Sequence, residues 1–347
     1  MAIFLSNEDV QEILTMDLCI EAVEKAYNEL GLGRAWNNPR LHTYGLNKRG
    51  ATHFLKIFAG TVPELGYSAL RIGSTLESEK IAYGSRREIG DRHLGWLLVF
   101  SVENGDLAAI IEDRYLQKMR VGAMTGIGAK YLARQDAESV AILGSGTQAG
   151  PQLMALCAVR GIKKIKVFSP NRDHRESFAK VMEKSLEVRV EPVESTQDVV
   201  RNSDIVVVAT NSSEPVFRGE WIEEGTFISS IVNSDKFIKR RDLDDTTLGR
   251  ASVIVISTRE QIINDDPQWL SEGLEKGVVS WEKIWEIGEL VCGKAPKRDN
   301  ISEITLLKNN GLSVQFVGVG AALVEAAKKR NVGKDLPGYL FESPYRA

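Results

Sequence analysis

The sequence predicts an α/β protein in which a doubly wound parallel-sheet domain is joined to a smaller α+β domain. Three observations carry this expectation. The chain has 347 residues, which suits two domains, each long enough to bury a core. From Ser139 onward, short apolar runs alternate with helical stretches, the pattern of a parallel sheet covered on both faces. Before Ser139 a helical stretch is followed by strand-like segments, with a hairpin signal at Asn104-Gly105.

Residues 7–33 are expected as one helix. Asn7 is a capping residue type, and apolar residues recur at helical spacing through Val10, Ile13, Leu14, Ile20, Val23, Ala26 and Leu30. Strands are expected at Arg40–Leu46, His53–Phe58, Tyr67–Ile72, Gly95–Ser101 and Asp106–Glu112, followed by a helix from Asp113 to about Arg134. In the alternating part, strands fall at 139–143, 164–168, 188–191, 204–209, 226–231 and 252–256, with helices at 269–292 and 313–330. The stretch Ser74–His93 is long for a connection and dense in charge. That suits a lid, an oligomer contact or a plain solvated insertion.

Composition excludes several classes. A net charge of −3 argues against nucleic acid, which demands clustered positive charge. No apolar run is long enough to span a bilayer, so no membrane association is expected. The N-terminal residues lack the basic segment of a signal peptide, so the expected location is cytoplasmic. Cys19, Cys157 and Cys292 are odd in number and far apart, and they read as reduced thiols. The four histidines show no ligand spacing, so no metal is expected.

Val140–Leu143 is a buried-strand run that leads into Gly144-Ser-Gly146-Thr147-Gln148-Ala149 and then a helix. This is G-x-G-x-x-A in the strand–turn–helix context that a Rossmann dinucleotide-binding unit requires. Gly144 permits the tight turn, Gly146 lets a pyrophosphate approach the backbone, and Ala149 lets helix and strand pack closely. The helix N-terminus offers free N–H groups to the phosphates. Without a cofactor, the same residues would be a glycine turn inside a doubly wound fold. The next strand ends on Ser169-Pro170-Asn171-Arg172, where an NAD-binding unit often carries an acid for the ribose 2′-hydroxyl. Asn171 and Arg172 would instead suit a 2′-phosphate, with Arg175 a second donor, so charge logic favours NADP(H) over NAD(H). The plain alternative is that Arg172 sits at a surface turn.

The turn is joined by three further stretches: DRYLQKMRVGAMTGIGAKYLAR from Asp113, GTFISSIVNSDKFIKRRDLD from Gly225 and CGKAPKRDNISEITLLK from Cys292. Together, and in this order, they resemble the ornithine cyclodeaminase/mu-crystallin family over nearly the whole chain. The resemblance implies a Rossmann domain over 121–315. It also implies a substrate-binding and dimerisation domain built from 1–120 and 316–347, and hence a homodimer. The implied chemistry is hydride transfer at the carbon of an amino or imino acid. The family includes imine and ketimine reductases, amino-acid dehydrogenases, and cyclodeaminases that recycle NAD.

The resemblance assigns roles residue by residue. Arg120 matches the arginine that binds the substrate carboxylate, although Val121 follows it where the family has threonine. Otherwise Arg120 would be a helix-surface arginine. Asp235 matches an acidic residue that handles protons at the substrate amine, and its plain alternative is a helix cap. Arg40 resembles a substrate-binding arginine. The family lysine of this domain falls on Lys56 or is replaced by Arg71. Lysine can be tuned to donate a proton and arginine cannot, so the two placements imply different chemistry. Lys56 could also be an edge-strand solubility residue. Thr210 matches a position beside the nicotinamide ribose, and Val232 one at the nicotinamide face. The early strand lacks the carboxylate with which cyclodeaminases hold a distal amine. Arg40, Lys56, Arg71 and Arg120 therefore suit a substrate with one or more carboxylates and no distant cation.

The expected function is an NAD(P)H-dependent oxidoreductase acting on the C–N bond of an imino or amino acid. The alternatives are a cyclodeaminase-type ammonia lyase and a non-catalytic NADPH-binding protein.

Overall fold

The alternation that begins at Ser139 becomes a parallel sheet. The computed structural model describes residues 2–48, 50–77, 93–232, 240–265 and 268–337. Two compact units emerge, Met1–Gln117 with Leu312–Ala347, and Lys118–Gly311.

The first unit contains β1 (Ile3–Leu5), α1 (Asn7–Ile13), α2 (Met16–Gly31), β2 (Trp36–Asn37), β3 (Leu41–Leu46), β4 (Thr52–Val62), β5 (Tyr67–Glu77), β6 (His93–Ser101) and β7 (Leu107–Glu112). α3 (Arg114–Leu132) begins in this unit and continues into the second. The single helix expected over 7–33 is two helices. Apolar spacing passes through the break, but Thr15 turns extended and its hydroxyl accepts from the Leu18 amide, starting a new helix. Residues 78–92, most of the charged stretch between β5 and β6, lie outside the described residues.

The sheet runs β16-β1-β7-β6-β5-β4-β2, with β3 also paired to β4; β16 is Lys334–Asp335. β3 to β7 are antiparallel neighbours, so side chains alternate between two faces. Phe58, Val62, Leu97 and Val99 are buried on the inner face. α11 (Ser313–Arg330) packs there, joined by α2. Gly318 makes the helix–helix approach possible, because a Cβ would lie 2.5 Å from the Ala22 carbonyl oxygen. The Gln315 amide donates to the Tyr27 hydroxyl at 2.6 Å inside this core.

The second unit contains β8 (Ser139–Leu143), α4 (Ala149–Val159), β9 (Lys164–Phe168), α5 (Arg172–Leu186), β10 (Arg189–Pro192), α6 (Thr196–Val200), β11 (Ile205–Val208), β12 (Phe227–Ser230), α7 (Asp245–Arg250), β13 (Val253–Ile256), α8 (Arg259–Asp265), α9 (Gln268–Glu275), β14 (Ile284–Glu286), α10 (Ile287–Val291) and β15 (Thr305–Lys308). The strand order is β10-β9-β8-β11-β12-β15-β13-β14, and every pairing is parallel. All residues of β11, β13 and β15 are buried, as expected of strands covered on both faces. This is the doubly wound Rossmann sheet.

Two expectations for this unit are corrected. Residues 269–292 are not one helix: α9 stops before Gly277, whose φ of +69° suits glycine. β14 then takes an edge place beside β13 before α10 begins. The strand β15 was not expected at all, yet it lies between β12 and β13.

Candidate functional site

In the second unit the chain winds from β8 outward through β9 and β10, then returns to β11 on the other side of β8. The carboxyl ends of β8 and β11 therefore form the switch point where such sheets bind ligands. The glycine-rich turn sits there. Gly144 has φ +113°, and a Cβ on it would collide with the Ala209 carbonyl oxygen and lie 3.5 Å from the Thr210 nitrogen. Glycine is thus required for both conformation and closeness, and Thr210 is brought beside the turn. Gly146 differs, since a Cβ there would meet no atom within 4 Å. It is exposed, as is Thr147, so this face of the turn is a cradle that a side chain would intrude on. Gln148 precedes α4 as its N-cap without a side-chain capping bond, and Ala149 is fully buried. These residues fit a dinucleotide pyrophosphate.

At the end of β9, the Ser145 hydroxyl donates to Ser169 at 3.0 Å, tying the turn to this corner. Asn171 caps α5 by accepting from the His174 amide at 2.9 Å. Arg172 is 73% exposed and pairs with Glu176 at 2.7 Å one turn on, which raises its pKa. Arg175, the second donor considered from the sequence, is buried. It donates to the Ser169 carbonyl at 3.0 Å and to Glu194, and lies over the Phe168 ring. Its guanidinium is taken up by the fold.

Val232 is buried just beyond β12, and its carbonyl accepts from Lys308. The Lys308 ammonium, itself 1% exposed, also donates to the Ser230 hydroxyl at 3.2 Å. Burial pushes the neighbouring Asp242 carboxyl up, with the Lys308 charge pulling the other way. Sequence reasoning missed Lys308 and Asp242. The one local signal was the apolar-rich run Ile304–Leu307, which leads into Lys308. Asp235 lies outside the described residues.

Arg120 is on α3 and only 6% exposed, so it is not a helix-surface arginine. Its guanidinium lies against Gly311.

In the first unit, one sheet face gathers the remaining cations. Lys56 on β4 is paired with His42 on β3 and Gly73 on β5, and Gly73 is paired in turn with Gly95 on β6. The two glycines leave room that Arg71 and Asp113 fill. A Cβ on Gly73 would lie 2.7 Å from the Arg71 Cζ, and one on Gly95 would collide with the Asp113 carboxylate. Arg71 Nε donates to Asp113 Oδ2 at 2.5 Å, and both side chains are buried. The guanidinium is flanked by the rings of Phe58 (5.6 Å) and Phe316 (5.7 Å). Arg40 precedes β3 and lies 5.8 Å from the Phe58 ring on its other side in the row; Lys56 Nζ is 6.0 Å from the Phe54 ring. The structure thus groups Arg40, Lys56 and Arg71 on one face, with Asp113 neutralising Arg71. Asp113 was read from sequence only as a helix start.

Among the described residues, no group of three or more His, Cys, Asp or Glu could hold a metal ion, and no helix is long and apolar enough to cross a membrane. Burial pushes the Cys157 thiol up to about 11, away from nucleophilic thiolate chemistry.

Comparison with known proteins agrees in extent. The model of the ornithine cyclodeaminase/mu-crystallin family matches residues 1–331. Alanine dehydrogenase of Archaeoglobus fulgidus is 28% identical over 338 residues, covering 96% of this chain and 98% of its own length. The structure of Thermococcus litoralis Δ(1)-pyrroline-2-carboxylate reductase, in complex with NADH and L-proline, superposes with a TM-score of 0.84 at 30% identity, covering 96% of this chain and 100% of that one. An archaeal alanine dehydrogenase dimer with bound NAD superposes with a TM-score of 0.83 at 27% identity, covering 97% and 99%.

Proposed function

This chain belongs to the ornithine cyclodeaminase/mu-crystallin family, and from that premise we propose that it is an NAD(P)H-dependent oxidoreductase that interconverts a small imino acid and its amino acid. The observation that carries this reading is the open glycine turn at the switch point, with Thr210 beside it. Full-length relatives named for the oxidation of alanine and the reduction of pyrroline-2-carboxylate support it.

The amides of the turn and the N-terminal end of α4 would hold the pyrophosphate. Thr210 would flank the ribose, and Val232 the nicotinamide. When bound, the coenzyme supplies hydride to the imine carbon or accepts it from the amine carbon. Arg120 would hold the substrate carboxylate, to which a guanidinium fork is matched. Lys56 and Asp235 are the candidates for moving the proton at the substrate nitrogen. Arg71 is not a third, because a guanidinium stays protonated and this one is paired to Asp113. With Arg71 neutralised by Asp113, Arg40 and Lys56 instead give that sheet face a positive character suited to an anionic substrate.

For the coenzyme the reading is NADP(H). No carboxylate stands at Ser169–Arg172, and Arg172 is exposed on a weak surface pair that a 2′-phosphate would outcompete. The two solved relatives described above carry NADH and NAD. The assembly we infer is a homodimer formed through the outer face of the first sheet. Leu41, Ile57, Ile72 and Trp96 make an apolar row there, with Leu41 57% exposed.

The test is the absorbance of reduced nicotinamide. NADPH and NADH are offered in parallel with Δ1-pyrroline-2-carboxylate, other cyclic ketimines, iminosuccinate, and 2-oxo acids with ammonia or methylamine. Net consumption with at least one imine, faster with NADPH, is expected. Ammonia release from a diamino acid without net consumption would replace this reading by the lyase. Coenzyme binding with no turnover of any kind would leave a binding protein.

A further inference from the structure

We propose that the turn after β15, Asn309–Gly311, is the positioning device for Arg120, and that Gly311 is glycine so that the guanidinium can approach its backbone. Gly311 lies outside the left-handed region, so backbone conformation does not call for glycine here. What excludes a side chain is steric. The three atoms nearest an ideal Cβ all belong to the Arg120 guanidinium: Nη1 would be overlapped, Cζ would lie at 3.0 Å and Nη2 at 3.1 Å.

The same turn fixes the backbone that carries Arg120. The buried Asn309 amide donates to the Val121 carbonyl at 2.8 Å and to the Thr125 hydroxyl at 3.0 Å. Thr125 lies 2.9 Å from the Ser229 hydroxyl on β12. Thr125 and Ser229 are fully buried, so these bonds are shielded from water and hold α3 to the ends of β12 and β15. One residue of the turn thus sets the helix and another leaves the space that the guanidinium occupies. A carboxylate is recognised by a planar fork, so displacing or tilting that fork bears directly on affinity.

A colliding arginine tip can swing away at little cost to the fold. Gly311→Ala should therefore misplace Arg120 without unfolding the protein. The inference rests on Arg120 as the carboxylate ligand, and two readouts separate the claims. The first is the Nε–Hε resonance of Arg120 in the full-length protein, identified by its loss in Arg120→Lys. The second is the kinetics with Δ1-pyrroline-2-carboxylate and NADPH.

In Gly311→Ala we expect the resonance to move, KM to rise about tenfold or more with a smaller change in kcat, and coenzyme affinity and melting midpoint to stay near those of the parent. In the Arg120→Lys background, adding Gly311→Ala should change kcat/KM less than about twofold, because no fork remains to be tilted. An unmoved resonance, or an equal kinetic cost in both backgrounds, would overturn the positioning role. A moved resonance with unchanged KM would uphold positioning and reject Arg120 as the carboxylate ligand.

Discussion

At Gly311 and at Gly73 all three atoms nearest an ideal Cβ belong to one guanidinium, that of Arg120 and that of Arg71. The second is matched by a carboxylate, with Asp113 2.5 Å from Arg71. A charge held inside a protein needs a counter-charge or a ligand. For Arg120 the reason to test an anionic substrate is the match between a guanidinium fork and a carboxylate. Arg120→Ala should cut kcat/KM for the imino acid by about a hundredfold or more while leaving coenzyme affinity within about twofold. Steady-state kinetics and coenzyme fluorescence titration check this; loss of coenzyme binding as the main effect would refute the carboxylate role. At the other end of the coenzyme site, Arg172→Ala should weaken NADPH about tenfold and leave NADH nearly unchanged. Equal losses for both coenzymes would mean that Arg172 does not meet a 2′-phosphate.

At the scale of elements, the second unit is held by charged groups placed at helix and strand ends. α3 ends against two arginines, Arg160 buried and Arg298 half-buried. Arg160 donates to the carbonyls of Ala129 (2.7 Å), Lys130 (3.0 Å) and Ala133 (3.1 Å), and Arg298 donates to that of Leu132 (2.8 Å). They satisfy the carbonyls that a helix C-terminus leaves open and complement its negative dipole end. Asp204 does the converse at the starts of β8 and β11. It accepts from the Glu138 and Ser139 amides at 2.9 Å each and the Ser139 hydroxyl at 2.7 Å, and pairs with Arg134. Burial alone would raise its pKa, but these donors hold it below the ordinary carboxylate range. A depressed folded value means stabilisation present above the unfolded value, about 4, and lost as pH falls through the folded one. Asp204→Asn should thus cost about 2 kcal/mol near pH 7, and denaturant midpoints should show that difference shrinking in acid. A cost that is constant with pH would place the effect in packing rather than charge.

Such elements were unequally legible in the sequence. The glycine turn could be read because its logic is local: strand, turn and helix fall within a dozen consecutive residues. β15 is four apolar-rich residues after a charged segment, and only its neighbours β12 and β13 make it a strand. The break between α1 and α2 was hidden because the apolar spacing does not change phase. The Arg71–Asp113 pair joins residues 42 apart, a contact that sheet register creates and no local pattern announces.

For the molecule as a whole, the outer face of the first sheet is the surface that bears on assembly. Alternation places Phe58, Leu97 and Val99 inward, under α11. The same alternation sends Leu41, Ile57, Ile72 and Trp96 outward in one cross-strand row, and Ala59, Leu70, Leu98 and Ile110 outward in the next. Each row crosses four strands, Leu41 is exposed and the others are half-buried in the single chain, and charge is nearly absent from them. The homodimer proposed above would bury this patch at its two-fold interface. Ile57 lies near the middle of the patch on β4, where its side chain faces outward and a carboxylate can be introduced without entering the inner core. Ile57→Asp would put an unpaired carboxylate from each protomer into such a two-fold interface. Sedimentation equilibrium should find the parent chain at twice its formula mass and Ile57→Asp at one, with the near-ultraviolet circular dichroism of the folded state retained. Should the variant sediment as the parent does, the patch is not the interface. Should the parent itself be monomeric at micromolar concentration, the homodimer is refuted outright.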